Sequence, residues 1–168
     1  MKKQFTLLLI ISALAFTQCK NNTERVLLTS DISVKLPVNY KMMKDTIENR
    51  TLFTAMNNHD EIFIAKIIIE KLDTLSLDEK KESIVKNLYG FMKPFGGEKL
   101  TSTEKLIGET VQSDFRFEFA KKDLTFVIFG NLIVKETDFI ILSYKTQKPI
   151  SNRSIKEKDI FLKSIIIK

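Results

Sequence analysis

Cysteine, histidine and glycine are scarce in this chain: one, one and five among 168 residues. The single cysteine, Cys19, sits beside an N-terminal apolar stretch. No disulfide can therefore form within the remainder, even in an oxidising compartment. The single histidine, His59, lies in His59-Asp60-Glu61. One histidine cannot furnish the three or four ligands of a zinc site, so no metal is expected and the segment reads as an exposed turn. It is also the sole candidate base for a serine triad, and no Gly-x-Ser-x-Gly elbow accompanies it. The glycines make neither a phosphate-binding loop nor a dinucleotide fingerprint. These shortages imply no cofactor, no catalytic residue and no enzyme. Like-charge blocks are missing too. Lys and Arg number 27 against 21 Asp and Glu, a net charge of +6, and the two signs are interspersed. Nucleic-acid binding wants a clustered basic face with aromatics, which this pattern does not offer.

What is present begins with an export signal. Lys2 and Lys3 form a positive start, and FTLLLIISALAF from Phe5 to Phe16 is an apolar run. At about a dozen residues it is too short to span a bilayer, which needs about twenty. Residues 1–18 are read as a signal peptide. Two cleavage sites compete. Leu14-Ala15-Phe16-Thr17-Gln18 before Cys19 resembles a loose lipobox, with Gln18 and Phe16 departing from the usual residues. Ala13-Leu14-Ala15 offers ordinary cleavage after Ala15. The lipobox reading makes Cys19 a lipidated, palmitate-type anchor. Lys20 behind it lacks the aspartate of inner-membrane retention, which points to the outer membrane, facing the periplasm. Residues 19–25 then make the lipidated cysteine and a short tether. Its six residues after the cysteine reach about 20 Å when extended.

Residues 26–168 read as one domain, with 43% hydrophobic and 29% charged residues over the whole chain. Alternation in 32–36 predicts a strand, ended at Pro37, and Pro37 to Tyr40 reads as a turn. Strands are expected at 51–56 and 61–71, the second apolar on both faces. Ser76-x-x-Glu79 is a capping box. Leu77, Ile84, Leu88, Phe91 and Phe95 form an apolar stripe behind it, widened by Val85 and Met92, and Gly96-Gly97 stops the helix. Strands follow at 100–106, 109–121, 124–134 and 138–145. In the second, Val111, Phe115, Phe117 and Phe119 face one way, while Gln112, Asp114, Arg116 and Glu118 face the other. The phenylalanines are expected in the core. Asp114 and Glu118 could in principle form a glycoside-cleaving pair, but a solvated surface is the expectation. Gly130 suggests a bulge. Ser154-x-x-Glu157 suggests a second capping box opening a helix to Lys163, and 164–168 a last strand. The order implies an α+β fold: an antiparallel sheet flanked by helices on both faces.

With a long helix following the third strand, three further features carry a resemblance to a family. They are the opening strand Ile32-Ser33-Val34-Lys35-Leu36-Pro37, the meander from Phe115 to Tyr144, and the closing Phe161-Leu162-Lys163-Ser164-Ile165. Together they resemble the PsbP-like family, including the DcrB-like bacterial lipoproteins. The resemblance implies an accessory factor of a membrane complex. The expected partners are the membrane, through the lipid, and a membrane-proximal envelope protein, with no nucleic acid. A carrier or sensor of an apolar small ligand in the periplasm is the alternative.

Overall fold

The computed structural model describes residues 23–37, 40–48, 50–57, 64–71, 76–96 and 98–168. Cys19 and His59 lie outside them. Strands β3 (Tyr40–Ile47), β4 (Arg50–Asn57), β5 (Ile64–Lys71), β6 (Glu98–Ile107), β7 (Thr110–Lys121), β8 (Leu124–Lys135) and β9 (Asp138–Gln147) form one seven-stranded sheet. Its order is β3-β4-β5-β9-β8-β7-β6, and every pairing is antiparallel. A smaller sheet holds β1 (Thr23–Leu27), β2 (Ile32–Pro37) and β10 (Ile166–Ile167). Helix α1 (Leu77–Met92) joins β5 to β6, and α2 (Asn152–Leu162) joins β9 to β10. The architecture is α+β with a predominantly antiparallel framework, as the element order implied.

Side-chain alternation splits the large sheet's core into two clusters. On one side Ile84, Leu88 and Met92 of α1 pack on Val111, Phe115, Phe117, Ile128, Leu132 and Ile141. On the other, Phe161 of α2 packs with Ile133, Ile140, Leu142 and Tyr144, and Val34 and Leu36 of β2 join it. The covering layers are thus less helical than expected, because the small sheet takes part of the work. Ser164 fastens that layer. Its hydroxyl donates to the Phe161 carbonyl at 2.8 Å and accepts from Lys35 N–H at 2.7 Å. This gives a physical role to the Phe161–Ser164 step noted in the sequence.

Several expectations are corrected. Strand β1 begins at Thr23, inside the stretch read as tether, and pairs along β2. Residues 40–47, not foreseen as a strand, form an edge. The Ser76 capping box is present: Ser76 N–H donates to Glu79 Oε2 at 2.8 Å, and Ser76 Oγ accepts from Glu79 N–H at 3.4 Å. The buried stripe of α1 is Lys80, Ile84, Leu88 and Met92, whereas Leu77 and Val85 are exposed. Helix α2 starts earlier than expected, because Ser151 caps it by accepting from Ser154 N–H at 3.0 Å. Gly130 makes no bulge, and the β7–β8 register runs through it unbroken. A Cβ there would lie 2.0 Å from Phe115 Cζ, so the residue is small because a ring lies across it. The register shift falls instead in β6, between Glu98 and Thr101.

Candidate functional site

Strand β7 supplies both faces of the molecule. Its odd positions from Val111 to Phe117 are buried; Phe117 is fully so, and Phe91 of α1 meets Phe115 and Phe117 edge-on at 5.8 and 6.0 Å. The ladder of Phe115, Phe117 and Phe119 is core, as expected. The even positions face the side that carries α2. There Gln112, Asp114 and Arg116 line an open cleft of about 630 Å³. Thr101, Thr103 and Lys105 of β6 form one rim, and Lys158 and Asp159 of α2, with Lys163 just past its end, form the other. The floor includes Phe129 and Asn131 of β8. The register explains the assembly: Thr103 opposes Asp114, which opposes Asn131, and Thr101 opposes Arg116, which opposes Phe129.

Each acidic side chain here is held by cations or amides. Asp114 accepts from Lys105 Nζ at 2.7 Å and from Asn131 Nδ2 at 2.9 Å. Asn131 is buried, and this bond sets its amide so that its carbonyl oxygen, Oδ1, has no protein partner. Glu118 receives both Arg116 and Lys148. The Lys148 hydrogen bond, helped by the Arg116 charge, holds the Glu118 carboxyl below the usual carboxylate range. Asp159 pairs with Lys158 at 2.9 Å and Lys163 at 3.6 Å, and the Lys158 bond lowers it likewise. Two triads of cation, carboxylate and cation therefore flank Phe129. Arg116 Cζ stands 5.7 Å and Lys158 Nζ 4.7 Å from that ring's centroid, in cation–π range. The six charged side chains lining the cleft are four cations and two carboxylates, so it carries a positive excess.

This geometry suits binding. A glycoside-cleaving pair needs one carboxyl kept protonated near neutral pH, and Glu118, held by Lys148 and Arg116, is shifted away from that role. Among the described residues no group of three or more His, Cys, Asp or Glu could hold a metal ion. Sequence reasoning found Gln112, Asp114, Arg116 and Glu118 as one strand face, and the structure brings all four to this side. It missed Lys105, Phe129, Asn131 and Lys158. Only Asn131 left a signal, as a polar residue in an otherwise apolar strand.

A second cleft, of about 390 Å³, lies beside α1 on the opposite face. Ile68, Phe91, Phe139 and Ile141 line it, with Arg50 and Glu70 paired at 2.8 Å among the lining residues. Near the other helix, burial first and the Glu157 charge second push the Tyr40 and Tyr144 phenols well above their usual range. Among the described residues no helix is long and apolar enough to cross a membrane.

No known protein family matches the chain, and no curated protein matches it. Solved structures do. Cyanobacterial PsbP (CyanoP) of Synechocystis sp. PCC 6803 superposes with a TM-score of 0.60 at 9% identity, covering 90% of this chain and 96% of that one. A Bacteroides thetaiotaomicron protein gives 0.59 at 13% identity, covering 88% of this chain and 49% of that one. This chain thus spans about half that protein's length. LpqN, involved in cell envelope biogenesis of Mycobacterium tuberculosis, gives 0.58 at 9% identity, covering 87% and 90%. At these identities the likeness concerns fold alone, and it is to the fold of PsbP that this chain is similar.

Proposed function

We propose that this chain is a non-enzymatic accessory factor that binds an envelope protein close to a membrane, to which a lipid on Cys19 fastens it. The observation that carries the reading is the open cleft over β6, β7 and β8. Its charged groups are tied together in pairs and triads that leave a positive excess, an arrangement suited to recognition. The likeness to LpqN, a protein of envelope biogenesis, and to PsbP supports the same direction. Strand β1 starts four residues after Cys19, so a lipid there keeps the domain edge within about 14 Å of the bilayer. The outer membrane, on its periplasmic side, is the proposed location.

Two measurements test this. The mass of the mature N-terminus should show a diacylglyceryl-type increment on Cys19, and a chain starting at Phe16 would refute the anchor. Crosslinking in intact membranes, followed by affinity capture of the full chain, should enrich one envelope protein. Capture of nothing above background removes the accessory role.

A second reading, a carrier of an apolar ligand, is favoured by the cleft beside α1 with its Ile68, Phe91, Phe139 and Ile141 lining. Native mass spectrometry of the full chain should then find a bound lipid, and an empty protein eliminates it.

A further inference from the structure

Strand β6 is anomalous. It is ten residues long and ends the seven-stranded sheet, yet none of its residues from Thr101 to Ile107 belongs to either core cluster. From Thr101 to Ile107 every residue is exposed, Leu106 and Ile107 by 54% and 61%. Among the described residues, only β7 pairs with it. Its outer edge offers a row of backbone N–H and C=O groups, which is a template for another strand. The segment from Thr101 to Ile107 is held to the sheet by its ladder with β7. The same strand forms the rim of the cleft with the positive excess, and Thr101, Thr103 and Lys105 point into it.

We propose that the β6 edge and the adjoining cleft form a docking site for an extended, acidic peptide segment of a partner protein. This deepens the accessory-factor reading and rests on it for the existence of a partner. Main-chain pairing to β6 supplies the affinity common to all strand addition, and it places alternate side chains of the added strand on the cleft side. There they meet the rim lysine, Lys105, and lie on the same side as Arg116 and Lys158. Those two cations already share Phe129 and are each only partly neutralised within a triad. Carboxylates at alternate positions fit that array and lysines do not. The sheet's other end strand, β3, contributes no residue to the lining of the cleft.

The test uses capped peptides as long as β6 and the full chain. One alternates valine with glutamate, one valine with lysine, and a third is the glutamate peptide N-methylated on alternate amides. The glutamate peptide should bind and slow amide hydrogen exchange across residues 101–107. The lysine peptide should bind at least about tenfold more weakly. The methylated peptide should lose the protection of β6. R116Q and K158Q should each weaken the glutamate peptide several-fold, and added salt should do the same. Equal binding of the acidic and basic peptides overturns the proposal, as does protection at β3 instead of β6, or no binding by any peptide. If the peptides fail while membrane crosslinking still captures a partner, docking lies elsewhere and the accessory role stands. If the peptides bind and no partner is captured, the site stands and that role falls.

Discussion

The two faces of strand β7 differ in everything except the backbone that carries them. On one, Val111, Ser113, Phe115 and Phe117 are buried beneath α1. On the other, Gln112, Asp114, Arg116 and Glu118 are half-buried, and the three charged ones are held in ion pairs beside an open cleft. Helix α1 lies over β7 and β8 on the first face. Helix α2 stands off to the side on the second, with the small sheet, and leaves β6 and β7 uncovered. One alternating sequence thus builds core and site at once. The difference teaches that stability and recognition are separable by residue parity along a single strand.

The largest expected effect comes from the buried face. Phe117→Ala removes a ring with no exposure, packed against Phe91 and Phe115. It should cost about 3–5 kcal/mol, read as a fall in the denaturant midpoint. A loss under about 1 kcal/mol would mean the face is not the core described, and would break the comparison. Next comes Gly130→Ala. The added methyl would sit 2.0 Å from Phe115 Cζ, so the ring must move. About 1–3 kcal/mol of destabilisation is expected in the same unfolding assay. Combining it with Phe115→Leu should restore part of that loss, which a cost arising in the backbone would not do.

Smaller effects lie at the helix end and in the ion pairs. Ser76→Ala removes the cap of α1 and should cost about 1 kcal/mol in thermal or chemical unfolding. Acid should act on the open face before the buried one. Glu118 and Asp159 have folded-state affinities for protons below the ordinary carboxylate range. Their stabilisation is therefore present above the unfolded-state value and is lost as pH falls through the folded one. Unfolding followed from neutral pH downward should show stability declining once pH enters the usual carboxylate range and continuing to fall below it, through the lowered folded-state values. E118Q should flatten that decline. An unchanged slope would mean the triad does not couple to folding.

Element order and the parity of β7 were legible because hydrophobic alternation is nearly complete there: Val111, Phe115, Phe117 and Phe119 on one side, interrupted by Ser113, and four polar residues on the other. The capping box at Ser76 was legible for a similar reason, since Ser and Glu at that spacing satisfy each other's backbone donors locally. The cleft was not, because its parts come from β6, β7, β8 and α2 and meet only through pairing register and helix placement. Lys105 and Lys158 look like ordinary surface lysines in the sequence. Gly130 was misread because a bulge and a ring seated across a strand both demand a missing side chain. Ser154 misled because Ser151, three residues earlier, competes for the same role. Strand β3, with its polar YKMMKDTI sequence, has only a half-buried side and no clean alternation to announce it.

The smallest effect on stability should come from the open face, and it is the sharpest test of the comparison. Arg116→Gln removes a guanidinium that pairs with Glu118 and approaches Phe129. Its side chain is 38% exposed, and Glu118 keeps Lys148 as a partner. Exposed ion pairs contribute about 0–1 kcal/mol, so the unfolding midpoint should barely move. The cleft nonetheless loses one of its four cations. Stability and recognition should therefore part company: near-native unfolding, together with weakened binding of the alternating valine–glutamate peptide. Phe117→Ala should show the converse, a large stability loss with peptide affinity retained at temperatures where the variant is folded. If Arg116→Gln destabilises the chain as much as Phe117→Ala, the open face is structural and the parity argument fails. If it leaves both stability and peptide binding untouched, the cleft's charge has no part in recognition, and the β6 edge alone must explain any docking that remains.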